Sequence, residues 1–284
     1  MPDEPKDDLN ALAARARNGD RDALEVLVRA VQKDVYALAV RFLWHPQDAE
    51  DATQEILIRI ITGLATFEGR SRFRTWVYRV ASNALLTQGR KRMEQTALSF
   101  DAFAEALADG LDAGAPELYS RAADDPADAL MLEEVKIGCT HAMLLCLDRD
   151  HRLAYILGEV LDLDHGEGAD ILAITRPAFR KRLSRATQRI SAFMSGHCGL
   201  INTANPCRCR RRVGRAIERG HVRPDAPLFA HSVAHARQFP KVIATIRLLE
   251  EGRRSAALFR SHPQLEPSSS FDTWLAHLLA VEPG

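Results

Sequence analysis

Apolar residues recur at three- and four-residue intervals along almost the whole chain, and no useful stretch alternates with the two-residue period of a half-buried strand. The pattern predicts an all-α protein whose first part holds four helices, at 9–17, 21–43, 48–64 and 72–92. Asn18-Gly19-Asp20 separates the first two and offers Asp20 as a cap, while His45-Pro46 and Glu68-Gly69 mark the next joints. From 96 to 128 the periodicity gives way to Asp109-Gly110, Ala113-Gly114-Ala115-Pro116 and Asp124-Asp125-Pro126, a linker composition with room for one short helix at 100–107. Helical spacing returns at 129–194 and, beyond the irregular Asn205-Pro206-Cys207-Arg208-Cys209, at 242–259 and 271–281. The expected organisation is a helical domain at 1–95, a linker at 96–128, a second helical domain at 129–195 and an extension at 196–284. No internal repeat interrupts it.

Charge sharpens that division. The 38 bases and 38 acids cancel overall, but 96–135 carries one base against ten acids, and the excess of bases lies elsewhere. Neutrality therefore does not exclude an anionic partner, because local stripes decide binding. Residues 70–92 hold seven bases and no acid. Wound as a helix, this stretch places Phe73, Val77, Val80 and Ala84 on a core-facing stripe and Arg72, Trp76, Arg79 and Asn83 on the stripe beside it. Arginine neutralises phosphates, an indole stacks on an unpaired base and an amide bonds a base edge, so the second stripe suits single-stranded or opened DNA. A tryptophan there also serves as ordinary core packing.

Just upstream, Asp48, Asp51 and Glu55 share one helix face, backed by Ala49, Ala52 and Ile56. No His, Cys or second acid cluster stands at metal-ligand spacing near them, so the face reads as a docking surface for a basic protein or as a solvated helix start, not as a catalytic pair.

The acidic opening MPDEPKDDLN lacks the apolar core of a secretory signal, and no apolar run reaches the ~18–20 residues of a membrane span, so the expected location is cytoplasmic. Five cysteines are too few and too uneven for a disulfide framework. Cys198, Cys207 and Cys209, with His197, are candidate zinc ligands, although spacings of eight and one lack the paired C-x-x-C pattern. Flanking arginines would favour their thiolates, which leaves a reactive thiol sensor and plain packed cysteines as the other readings.

DAEDATQEILIRIITGLATFEGRSRFRTWVYRVASNALL resembles region two of bacterial RNA polymerase sigma factors of the extracytoplasmic-function type. The resemblance implies that Asp48, Asp51, Gln54 and Glu55 bind core polymerase, and that Ser71, Arg72, Phe73, Trp76, Arg79 and Asn83 open and read the minus-ten promoter element. LDLDHGEGADILAITRPAFRKRLSRATQRI is similar to the helix-turn-helix of region four, which reads the minus-thirty-five element. Within it Ala169, Ile171 and Leu172 would pack the first helix, Ala173 would take the turn, and Thr175 would cap the second helix with Pro177 in its first turn. Phe179, Leu183, Ala186 and Ile190 form the buried stripe; Arg176, Arg180, Lys181, Arg182, Arg185 and Arg189 face outward toward DNA.

Departures from the family are Ala173 in place of the usual turn glycine, Arg176-Pro177 at the start of the second helix, and Gly166 and Gly168 in the first, each costing up to ~1 kcal/mol. The acidic linker would tether the domains or mimic nucleic acid in a polymerase channel. The extension would regulate, beside or in place of a separate anti-sigma protein. The implied function is a promoter-specificity subunit with no catalysis of its own. The competing readings are a stand-alone helix-turn-helix regulator, which does not need the acidic face, and a metal-dependent enzyme, for which no convergent acid–base set exists.

Overall fold

The structure is a computed structural model that describes residues 8–88, 99–112 and 126–280. Among them are fourteen helices and no strand, in agreement with the all-α reading. The first part holds α1 (Asp8–Arg17), α2 (Arg21–Leu43), α3 (Pro46–Gly63) and α4 (Phe73–Thr87). There follow α5 (Phe100–Asp112), α6 (Pro126–Leu145) and α7 (Arg149–Tyr155), which runs into a π-helical turn at Ile156–Val160. Next come α8 (His165–Ile171), α9 (Arg176–His197), α10 (Cys209–Glu218) and α11 (Val233–Ala236). The last are α12 (Phe239–Leu248), α13 (Glu251–Arg260) and α14 (Ser269–Ala280).

Local chemistry explains the boundaries. The Asp20 side chain accepts the Ala23 N–H at 3.0 Å and starts α2. Trp44 ends α2 at φ 69°, a left-handed position usually given to glycine. Pro46 in the first turn then starts α3 two residues earlier than its apolar periodicity indicates. Asn10 on α1 accepts the Phe73 N–H at 2.7 Å and caps α4 from a distance. The last positions of the predicted fourth helix, 89–92, lie outside the described residues. So do the turns expected at 113–116 and 124–125.

Two compact units are present. One gathers 1–93 with 164–179 and 265–284; the other gathers 94–163 with 180–264. In the first, α2, α3 and α4 enclose a core that includes Leu27, Val31, Val35, Leu38, Phe42, Ile56, Leu57, Ile60, Phe73 and Val77. Phe271 and Leu275 of α14 are buried in the same unit, and Glu50 of α3 accepts the Ser268 N–H at 2.7 Å. In the second, Met131 and Val135 of α6 form a core with Val213 of α10 and Val222. Glu134, 1% exposed, accepts the N–H groups of Leu228, Phe229 and Ala230 at 2.7, 2.9 and 2.8 Å.

The stretch expected as one extension, 196–284, thus divides between the units. Its predicted helix at 242–259 is two helices, because Leu249 leaves α12 in extended conformation and Arg254 takes its carbonyl at 3.0 Å. α5 outruns the predicted 100–107: Arg212 donates to the carbonyls of Ala106 and Leu107, and Asp109 pairs with Arg215 of α10 and with Arg219 just past its end. Among the described residues no helix is long and apolar enough to cross a membrane.

Candidate polymerase and nucleic-acid interfaces

On α3 the apolar backing forms as its spacing requires: Ala49, Ala52 and Ile56 are buried, Asp51 and Glu55 are exposed, and Asp48 and Gln54 are half-buried. Glu55 ties Arg59 one turn on in an exposed ion pair. Glu50 lies among these carboxylates in sequence but points into the unit. The outer face is therefore acidic and open to water.

On α4, Arg72 stands at the N-cap, exposed, and Asn83 is exposed three turns on. Ser71 is half-buried. Phe73 is fully buried and serves the core, so its role is to seat the helix. Trp76 is half-buried, and its ring packs 5.6 Å from both Phe67 and Phe73, which are 5.3 Å apart edge to face. One edge of the indole also lies beside Gly63, where an added Cβ would sit 3.7 Å from the ring. The indole is therefore anchored in an aromatic trio, so that both readings of its stripe, solvent-facing and core-packing, apply in part. Phe67 is the member that the sequence reading missed, because it lies in the joint before α4 and off the helical stripe.

Arg79 is half-buried; its Nε donates to the Asp170 carbonyl of α8 at 3.0 Å, and nearby Thr75 Oγ1 bonds Glu167 Oε1 at 2.7 Å. Arg74, on the other flank, pairs with Asp34 at 3.0 Å.

The helix-turn-helix has the expected parts. Asp164 accepts the N–H groups of Gly166 and Glu167 at 2.7 and 3.1 Å, bonds that hold its carboxyl below the usual range and start α8. Ala173 makes the turn at φ 51°, a left-handed conformation that explains why glycine is common there. Thr175 Oγ1 accepts the Ala178 N–H at 3.3 Å and caps α9, with Pro177 in the first turn. Phe179, Leu183, Ala186 and Ile190 are all buried. Arg176, Arg180, Lys181 and Arg185 are exposed, whereas Arg182 is half-buried and paired with Asp150 at 3.2 Å. Arg189 lies over the Phe100 ring at 5.2 Å.

Cys198 and Cys207 pair their backbones in an isolated bridge, and Cys209 begins α10. Cys139 of α6, which the sequence reading left out, couples electrostatically to all three. Burial raises each of these thiols first, and repulsion from neighbouring thiolates adds to it at Cys139, Cys207 and Cys209; Cys207 is pushed up to about 11. The flanking arginines oppose the shift too weakly to reverse it, and Arg208 is engaged by the carbonyls of Thr203, Asn205 and Cys207. His197 packs on the Phe193 ring at 4.7 Å. Among the described residues no three His, Cys, Asp or Glu side chains are placed to hold a metal ion.

Comparison with known proteins agrees with this geometry. The sigma-70 region 2 family profile matches residues 27–94, which span α3 and α4. The RNA polymerase sigma-H factor of Pseudomonas aeruginosa is 30% identical over 184 residues, covering 63% of this chain and 90% of that protein. The ECF RNA polymerase sigma-E factor of Haemophilus influenzae is 29% identical, covering 63% of this chain and 92% of its own length. That of Escherichia coli K12 is 30% identical, with coverages of 63% and 90%. A helical scaffold with an open acidic helix beside an acid-free basic one, and this similarity over nearly the full length of those relatives, make one assignment: the chain belongs to the extracytoplasmic-function family of RNA polymerase sigma factors.

Proposed function

We propose that this chain, a sigma subunit acting in transcription initiation, binds core RNA polymerase through Asp48, Asp51, Gln54 and Glu55 of α3 and promoter DNA through α4 and α9. Arg72, Arg79 and Asn83, with Ser71 at the helix start and the anchored Trp76, receive the minus-ten element. Arg176, Arg180, Lys181 and Arg185 meet the minus-thirty-five element, with Arg182 joining once its pair with Asp150 opens. The single observation that carries the reading is the pairing, on one scaffold, of the open acidic face of α3 with the exposed Arg72 and Asn83 of α4.

The mechanism is differential binding. Arginines that neutralise phosphates and an amide that bonds unpaired bases stabilise an opened duplex more than a closed one, and the subunit performs no covalent chemistry. Working on polymerase and DNA places it in the cytoplasm. An anti-sigma protein covering the α3 carboxylates would compete with polymerase.

Run-off transcription with purified core polymerase on a library of upstream DNA tests this. Promoter-dependent transcripts are expected from the full chain, and the charge reversal Asp51→Lys with Glu55→Lys is expected to abolish them along with polymerase binding. A stand-alone helix-turn-helix regulator would bind duplex DNA and be indifferent to that reversal.

A further inference from the structure

We propose that α13, inside the stretch expected to be a regulatory extension, is a strut for the DNA-reading helix, with Arg260 as the positioning residue that aims α9 at the minus-thirty-five element. The proposal rests on the assignment of α9 as the reader of that element. It deepens that assignment by naming what holds the reader in place.

A reading helix needs such support because hydrogen bonds to base edges depend on side-chain placement far more than attraction to phosphates does. On α9 the support comes from the π-helical turn at Ile156–Val160. Gly158 lets that turn press close: an added Cβ there would stand 2.6 Å from Leu183 Cδ2 on the buried stripe of α9. One residue on, Glu159 Oε1 accepts the Thr187 hydroxyl of α9 at 3.1 Å. Leu183 and Thr187 lie one turn apart and flank Arg185, with Arg180 and Lys181 in the turn before. A shift of the π-helical turn is therefore passed to the side chains assigned to DNA.

The other side of the turn is fixed by α13. Phe259 packs edge to face on Tyr155 at 5.3 Å, and both rings are buried. Arg260 Nε donates to the Glu159 carbonyl at 2.6 Å, and its Nη2 to the Asp162 carboxylate at 2.8 Å. The first acceptor stands where helical donors run out, and the second residue is held at φ 58°, a left-handed conformation that persists only where surrounding contacts fix it. The far end of α13 is tied as well, since Glu251 Oε1 accepts the Ser195 hydroxyl of α9 at 2.9 Å. From Glu251 to Arg260 is about 13.5 Å of helix, and from Thr187 to Ser195 about 12 Å, so the strut matches the length that it braces. The Arg260–Asp162 pair is largely exposed and adds little stability, so its consequence is orientation.

The test compares the full chain with its Arg260→Ala and Thr187→Val variants, neither residue being assigned to polymerase or DNA. Each is assembled with core polymerase and titrated, at one fixed salt concentration, with two fluorescein-labelled promoter duplexes that differ only in an intact or a scrambled minus-thirty-five element. Each variant is expected to lower the ratio of the two affinities about three- to tenfold, by weakening the intact duplex alone, while the thermal midpoint hardly moves. Thr187→Val keeps side-chain shape and carries the test should Arg260→Ala loosen the fold. An unchanged ratio overturns the strut, and so does equal weakening on both duplexes, which marks a merely structural role. If the parent holoenzyme itself binds the two duplexes alike, the assignment of α9 as a reader fails, and the strut fails with it.

Discussion

Gly168 lies directly under the ring of Phe179: a Cβ added at residue 168 would stand 2.3 Å from Phe179 Cζ and under 3 Å from both Cε atoms. The glycine that weakens α8 as a helix is thus what allows its partner helix to approach. Gly168→Ala would gain up to ~1 kcal/mol in helix propensity but must displace a buried aromatic ring, an overpacking cost of about 1–3 kcal/mol. Net destabilisation is expected, measured by chemical denaturation, together with weaker binding to promoter duplex. Gly166, whose added Cβ would meet only the Asp164 side chain at 3.0 Å, should accept alanine with a smaller penalty.

Glu134 is expected to be among the costliest single positions in the second unit. Its carboxylate is the acceptor for three consecutive backbone N–H groups, so Glu134→Ala leaves the buried donors of Phe229 and Ala230 without partners at about 1–3 kcal/mol each. A fall in thermal midpoint of many degrees should follow, whereas Glu133→Ala also removes the buried pair with Lys136. The same bonds predict that deleting 196–284 destabilises α6, so a deletion reports on folding before it reports on regulation.

Much of this was legible in the sequence because helical periodicity and capping are local. The α3 backing, the α9 stripe and the caps at Asp20 and Thr175 lie where three- and four-residue spacing put them. What escaped is long-range. Trp76 sits correctly on its stripe, but Phe67 comes from a loop and takes up part of its surface. Glu134 is only one of the ten acids over 96–135, and nothing local marks it as the acceptor for three N–H groups of a loop some ninety residues on. Arg182 and Arg79 belong to basic stripes, yet each is spent on an intrachain acceptor that no spacing rule foresees.

Under the proposed function, substitutions at Arg72 and Asn83 should separate affinity from base reading. Arg72→Ala is expected to lower the salt dependence of strand binding by about one counterion and to weaken all sequences alike. Asn83→Ala should leave the salt slope unchanged and cost about 1–3 kcal/mol only on strands that present the preferred base. Both side chains are exposed, so melting temperatures should hardly move. Fluorescence titration at several salt concentrations distinguishes the two effects.

The thiol cluster should be quiet at neutral pH. With Cys207 pushed up to about 11, its thiolate fraction at pH 8 is roughly a hundredfold below that of a free cysteine, and alkylation in the folded chain should be slower by a similar factor. The sign of the linkage follows. A thiol raised by burial contributes stability that is complete below its unfolded value of 9.0 and lost as pH climbs toward about 11, so the protein should melt progressively lower across that window. Rapid alkylation at pH 7 without unfolding would identify an activated thiol instead.

The C-terminal helix is part of the N-terminal core, and this yields the most direct stability test. Phe271 and Leu275 are 1% and 0% exposed, and Leu265 is buried as well. The Glu50–Ser268 bond, the Lys33–Glu266 ion pair at 2.6 Å and the Arg21 bond to the Leu279 carbonyl at 3.2 Å fasten the segment to α2 and α3. The ion pair is exposed and contributes little, so the apolar residues decide the outcome. Phe271→Ala should cost about 3–5 kcal/mol and Lys33→Ala less than about 1 kcal/mol. Hydrogen exchange should then show α2 and α3 opening more readily in the first variant only. Since α3 carries the carboxylates assigned to polymerase, Phe271→Ala should also weaken polymerase binding without altering any residue on that surface. Unchanged α3 exchange alongside a large loss of stability would mean that α14 supports the unit elsewhere and leaves the polymerase face untouched.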